Sequence, residues 1–311
     1  MKKYFDFTLT GKKFLPIWLI FYIVVIVPYA LYYKSLTGQA QSGNPNPMIG
    51  FLFLGIMIAA FLISYYILKL TIKHVKYNDN EINFNGKFPI FIGKVLLGFL
   101  LSIVTLTIYM AWFIRDITRF VVNNSSINDT RFEFKGKGGI LFLILILSLF
   151  APIIALSLIM GKHLIAINQN FVYTIIYQGI VMIIMIPYMY LMYKWMIDIK
   201  YKDYHIKWKT DFFESCGKIL VEVLLIMITV GIYMPLAYLK LFKYFSERTI
   251  AEKADSSLQF GYELDSKNDF LFIWGQLLLT IITLGIYYPW AYAKIGKRIL
   301  EKTYVTKFNA A

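Results

Sequence analysis

Glu222 is the acidic residue set well inside an apolar stretch, and it shares a register with Gly98 and Gln276 at offsets of 124 and 54 residues. A carboxylate at such a depth costs ~2.5–3.5 kcal/mol on insertion scales, so it must face protein or water rather than lipid. With Gln276 it would make a polar membrane site for an ion or a proton. The competing reading is one turn of depth, with the carboxylate paired to Lys218 at i,i+4 spacing. Arg119, Lys243 and Lys297 form a second set, each ten residues after Tyr109, Tyr233 and Tyr287. With Arg115, Lys240, Lys294 and Arg298 they make basic faces. Such faces contact anionic headgroups at ~1 kcal/mol per residue, or simply set topology. The three tyrosines line a cavity with their hydroxyls or anchor at headgroup level.

No other chemistry is spelled out. Cys216 stands alone, His74, His163 and His205 have no ligand spacing, and no HExxH, GxSxG, phosphate-loop or dinucleotide pattern occurs. The expectation is a protein that is not an enzyme, with no catalytic residues, metal or cofactor.

The elements that position these residues are apolar. Of 311 residues 59% are hydrophobic and 16% charged, with net charge +14 and mean hydropathy +0.61. That excludes a soluble enzyme, a disordered chain and a disulfide-stapled domain. Apolar stretches of spanning length fall at 14–33, 48–68, 95–114, 139–161, 171–193, 219–239 and 270–293. The first is expected to be an uncleaved anchor.

Self-comparison organises the chain. At offset 124, 74-HVKYNDNEINFNG-86 aligns with 198-DIKYKDYHIKWKT-210, and Thr105 and Ile108-Tyr109-Met110 align with Thr229 and Ile232-Tyr233-Met234. A further 54 residues on comes Thr283-Leu284-Gly285-Ile286-Tyr287-Tyr288-Pro289-Trp290. Pro28 and Pro152 share the offset of 124. The chain divides into a unit at 1–131, its duplicate at 132–256 and a truncated third unit at 257–311. Short aromatic strands, Phe5-Asp6-Phe7, Ile82-Asn83-Phe84, Phe132-Glu133-Phe134, Ile206-Lys207-Trp208 and Phe260-Gly261-Tyr262, introduce the apolar segments.

The T-L-G-I-Y-x-P-W motif at 283–290, a basic helix after it, Asn123-Asn124 and Phe132-Glu133-Phe134-Lys135-Gly136 resemble the DUF898, or YjgN-like, family of uncharacterised bacterial membrane proteins. The motif is degraded at 229–236, where Leu236 replaces Trp, and at 105–112, where Thr107 and Ala111 replace Gly and Pro. The resemblance implies a bacterial inner-membrane protein and supplies no activity.

Lysine and arginine placement chooses a topology. If all seven stretches span, the two sides collect 15 and 17 basic residues; if the three motif segments enter and leave on one face, that face holds 30 of 32. Gly231 and Gly285, placed four positions before Pro235 and Pro289, invite an interrupted helix around Tyr233 and Tyr287, with Trp290 beside it. The expected fold is all-α and polytopic: tandem helical units, kinked or re-entrant motif helices, small cytoplasmic β-elements and a cytoplasmic N-terminus. The expected function is a small transporter or channel for an ion or solute. The alternative is a non-transporting protein that binds lipid or scaffolds a complex. The expected partners are the bilayer and anionic headgroups; the dispersed charge argues against nucleic acid.

Overall fold

Alternation at a strand's period recurs in ten short segments, and all ten join one sheet. The structure, a computed structural model, describes residues 1–42, 48–160, 171–254 and 256–308. Its strands are β1 Lys3–Phe7, β2 Val75–Tyr77, β3 Asn80–Phe84, β4 Ser125–Ile127, β5 Thr130–Phe134, β6 Ile199–Tyr201, β7 Tyr204–Trp208, β8 Thr249–Lys253, β9 Ser256–Tyr262 and β10 Thr303–Phe308. Every strand pairs antiparallel with its sequence neighbours, and β1 pairs with β10, so the sheet closes as a barrel. The expectation of an all-α fold with small separate β-elements is therefore corrected. The five aromatic strands read from the sequence are half of a single barrel. Closure was hidden because each strand has only 3–7 residues and most partners lie across a helical insertion.

Tight turns join β2 to β3 and β4 to β5. Asn78-Asp79 and Asn128-Asp129 have φ of 49° and 65°, and of 48° and 62°, the left-handed pair that a two-residue hairpin turn needs and that Asn and Asp tolerate. One face of the barrel is charged, with Lys76–Glu81 at 3.4 Å and Lys207–Glu252 at 2.6 Å. The other is apolar, with Phe5 opposite Tyr77, Ile82 opposite Ile127 and Phe132 opposite Tyr201. A bilayer-embedded barrel has the reverse pattern, so this one stands in water.

Helix pairs fill the intervals between strands. Between β1 and β2 come α1, which runs Gly11–Phe21, a π-helical stretch Tyr22–Ile26 and Val27–Ser42, and α2 Met48–Lys73. Between β5 and β6 come α5, which runs Gly138–Ile144, a π-helical stretch Leu145–Phe150 and Ala151–Met160, then α6 Phe171–Ile184 and α7 Ile186–Met196. Four helices here, Gly11–Gly38, Met48–Lys73, Gly138–Ile159 and Thr174–Met196, are long and apolar enough to cross a membrane. Pro28 and Pro152 each lie just beyond a π-helical stretch, which absorbs the hydrogen bond that proline cannot donate. Of the loop expected at 34–47, residues 34–42 instead continue the helix that ends at Ser42, while 43–47 and the loop expected at 162–170, with Lys162 and His163, lie outside the described residues.

The three motif segments are hairpins. Hairpin A is α3 Phe88–Val104 and α4 Met110–Asn123; hairpin B is α8 Phe212–Ile228 and α9 Met234–Ser246; hairpin C is α10 Ser266–Ile282 and α11 Tyr288–Leu300. Hairpin A joins β3 to β4, B joins β7 to β8 and C joins β9 to β10, and each strand pair is hydrogen-bonded. Each hairpin must therefore return to the barrel face it left. Packing runs from α1 through α2, α3, α4, α5, α7, α8, α9, α10 and α11 back to α1, a closed ring beneath the barrel. Aromatic rings cement the junction. Phe84 folds over Gly86 against Phe120, and Phe134 over Gly136 against Trp195, where a Cβ on either glycine would meet the ring. That is the physical content of F-x-F-x-G.

Candidate functional site

The motif builds a turn that is polar within and apolar without. Leu106-Thr107, Val230-Gly231 and Leu284-Gly285 hold φ of 49° and 73°, 50° and 86°, and 50° and 89°. The Thr105, Thr229 and Thr283 hydroxyls donate to carbonyls one turn back and accept from the Tyr109, Tyr233 and Tyr287 amides at 2.9, 3.1 and 3.0 Å. The Thr107, Gly231 and Gly285 amides close the first helix onto Ser102, Ile226 and Thr280 carbonyls at 2.7–2.8 Å. Outside, Leu106, Val230 and Leu284 are 85%, 90% and 78% exposed. Irregular backbone would need this arrangement wherever it met lipid. Neighbouring aromatics cap spare tip carbonyls: Trp18 Nε1 donates to Gly285, Tyr22 Oη to Leu284 and Trp274 Nε1 to Ile232. Pro235 and Pro289 open the second arms rather than break the first, a position that needs no amide hydrogen. Trp290 packs over Gly11, tying hairpin C to the base of α1.

Inside hairpin B, Lys240 Nζ donates to Tyr233 Oη at 2.8 Å and Tyr233 Oη donates to Glu222 Oε2 at 2.8 Å. Lys218 Nζ sits 3.0 Å from Glu222 Oε1. In hairpin C, Lys294 donates to Tyr287 and Tyr287 to Gln276 Oε1, at 2.8 and 3.0 Å. In hairpin A, Tyr109 donates to Asp116 at 3.4 Å, and the Phe113 ring fills the space over Gly98. Positions 98 and 113 are Gly and Phe, whereas 222 and 237 are Glu and Ala, and 276 and 291 are Gln and Ala. Volume lost on one arm is regained on the other. Glu222 and Gln276 thus do not face each other; each pins the two arms of its own hairpin through a tyrosine. Each Glu222 carboxylate oxygen has a partner, as a buried charge demands.

A second polar pin was not anticipated. Asp269, fully buried, receives Arg298 Nε at 2.8 Å and Lys302 Nζ at 2.6 Å, and accepts from the Asp265 amide. The equivalent contact in hairpin B is Ser215 Oγ with Tyr244 Oη at 3.4 Å, and in hairpin A the Phe91 and Phe120 rings, 5.6 Å apart. Burial, and then the nearby Asp269 carboxylate, pushes the Tyr262 phenol up. An acid in the first turn of a helix whose partner arm ends in Arg298 and Lys302 was the available signal.

The structure does not gather Arg119, Lys243 and Lys297. Each stands on the second arm of its own hairpin, with Lys243 3.8 Å from Glu247 and Lys297 3.4 Å from Glu301, while Arg119 is exposed.

The barrel lumen was also not foreseen. It holds a cavity of about 400 Å³ that all ten strands line, almost wholly with carbon, a size in the ~300–1,000 Å³ range of small-molecule sites. Ile82, Ile199, Ile206 and Ala251 form its waist, and Phe242, Ser246 and Leu300, at helix ends, form its floor. Toward the turns, Tyr77, Tyr201 and Tyr204 meet Phe5 and Phe132, with Phe5–Tyr77 and Phe132–Tyr201 ring centres at 4.9 and 4.8 Å. Burial, and the neighbouring tyrosines after it, pushes the Tyr77 phenol up.

A closed, externally charged barrel over a ring of apolar helices, four of them long enough to cross a bilayer, defines a helical membrane protein with a β-barrel cap. The chain belongs to the DUF898 family, described as bacterial protein of unknown function, whose profile matches residues 79–250. It is 33% identical over 86 residues to inner membrane protein YjgN of Salmonella typhimurium (strain LT2), a match covering 28% of this chain and 22% of that protein. No solved structure matches the chain.

Proposed function

We propose that this is a multi-pass inner-membrane protein that holds the apolar chain of a membrane amphiphile in its barrel lumen. The four long helices cross the bilayer, the three hairpins re-enter from the cytoplasmic face, and the N-terminus and barrel lie in the cytoplasm. Thirty of 32 basic residues fall on that face in this arrangement, in accord with the positive-inside rule, and the name of the Salmonella relative accords with the location. The units 1–131, 132–256 and 257–311 arose by tandem duplication on this reading, each contributing strands to the barrel.

The lumen carries the functional reading. A wet ion path would need polar groups free to exchange partners, whereas the polar groups of hairpins B and C are engaged in pins. The geometry therefore favours lipid binding over ion or solute transport, and binding over catalysis. The reading rests on Ala251, 4% exposed, and Ile206, small or slender residues at the waist of an apolar cavity. In detergent, the wild type should bind a fluorescent polyene fatty acid saturably. Ala251→Trp and Ile206→Trp, which fill the lumen, should weaken binding at least tenfold while gel-filtration profiles stay unchanged. Undiminished binding in both folded variants, or no saturable binding by the wild type, overturns the reading.

A further inference from the structure

We propose that the acyl chain reaches the lumen sideways from the bilayer, along hairpin C, with Leu300 as the partition it must pass; this rests on the lumen-binding reading above. A second apolar cavity, of about 340 Å³, lies between hairpin C, the end of α2 and β1. Its wall begins at Tyr288, three residues beyond the hairpin tip, and ends at Leu300. Along α11 that interval rises about 18 Å. The lower end is at bilayer depth on the topology above, because Leu284 and Ile286 at the tip are 78% and 53% exposed. The upper end is the lumen floor, since Leu300 lines both cavities. A third cavity, of about 220 Å³, borders both: Ile82, Phe132 and Ile199 separate it from the lumen and Val75 from the hairpin C cavity, which leaves Leu300 as the side chain that lumen and hairpin C cavity share.

The walls suit a hydrocarbon. Three polar side chains of the hairpin C cavity have partners of their own: Thr71 Oγ1 and Tyr292 Oη are 3.1 Å apart, and Thr280 Oγ1 donates to the Gln276 backbone carbonyl. Gly296 leaves the middle of α11 without a side chain, and the Phe7 ring lies against it. From the water side, by contrast, a chain would have to part the Tyr77, Tyr201 and Tyr204 cluster and cross a charged rim. Apolar surface moved from lipid through an apolar passage never meets water, so the lateral path avoids the ~0.8 kcal/mol that each exposed methylene costs.

The test uses the full chain in nanodiscs that contain phosphatidylglycerol with a diazirine at the end of one acyl chain, or a diazirine fatty acid in unlabelled lipid. After illumination, mass spectrometry maps the labelled peptides. Wild type should label the lumen segments 199–206 and 249–260 together with 277–300. Leu300→Trp and Leu277→Trp should cut lumen labelling at least tenfold, and Leu300→Trp should keep label at 277–292. Ala251→Trp should lose lumen label and keep that of hairpin C. Full lumen labelling in both Leu300→Trp and Leu277→Trp overturns the lateral path while the lumen reading stands. Absence of lumen label in wild type overturns both. If only the fatty acid labels the lumen, the occupant is a free acid; if phosphatidylglycerol labels it too, a diacyl lipid inserts one chain. Either result supports the path.

Discussion

At the residue scale, Glu222 shows how a charge survives in an apolar stretch. It is 1% exposed, and Tyr233, itself held by Lys240, and Lys218 occupy its oxygens. The i,i+4 pair with Lys218 was legible from spacing, but the tyrosine eleven residues on was not, because only a hairpin brings Tyr233 back beside Glu222. Gln276 does the same work without charge, so the requirement is an acceptor for the tyrosine hydroxyl. Glu222→Gln should accordingly leave the thermal midpoint in detergent within a few degrees of wild type. Glu222→Leu should lower it by the equivalent of ~1–3 kcal/mol, the cost of a buried donor left without a partner. A leucine variant as stable as wild type would refute the pin.

At the element scale, the hairpin turn is a recurring device whose glycine is useful but not essential. Gly231 and Gly285 sit at φ of 86° and 89°, whereas Thr107 holds 73° at the same place. Left-handed backbone costs a side chain roughly 1–2 kcal/mol. Hairpin A keeps the turn because the same threonine cap and back-bonding amide form there. Thr107→Gly should therefore raise the thermal midpoint and Gly285→Val should lower it. Circular dichroism melts on the purified protein would check the order, and opposite signs would show that the turn is not what limits stability. Sequence pattern revealed the interruption and the same-face return. It credited glycine and proline together; the structure places the glycine in the turn itself and the proline at the start of the second arm.

At the scale of the whole molecule, five helix pairs hang from one barrel, and the orientation of any one sets that of all. Exposed turn and rim residues give the test of sidedness. On a Cys216→Ser background, single cysteines at Asp79, Asp129, Lys202 and Lys253 should all react with a membrane-impermeant maleimide from the cytoplasmic side of inverted vesicles. Cysteine at Val230 should react only with a lipid-soluble reagent. Labelling of any rim position from the opposite side would overturn the proposed topology.

Composition and local pattern determined what a membrane demands of this chain: four long apolar helices, three interrupted ones, and basic residues in the polar segments between them. Those properties depend on neighbours within a few turns, so they are written in contiguous sequence. The barrel, its lumen and the Asp269 pin were decided by tertiary structure. β1 and β10 pair across nearly the whole chain, and strands of three to seven residues carry too little alternation to announce their partners. Such pairings gain their free energy only when every helix pair has folded back to the same face, because each must first overcome the entropy of closing a long loop.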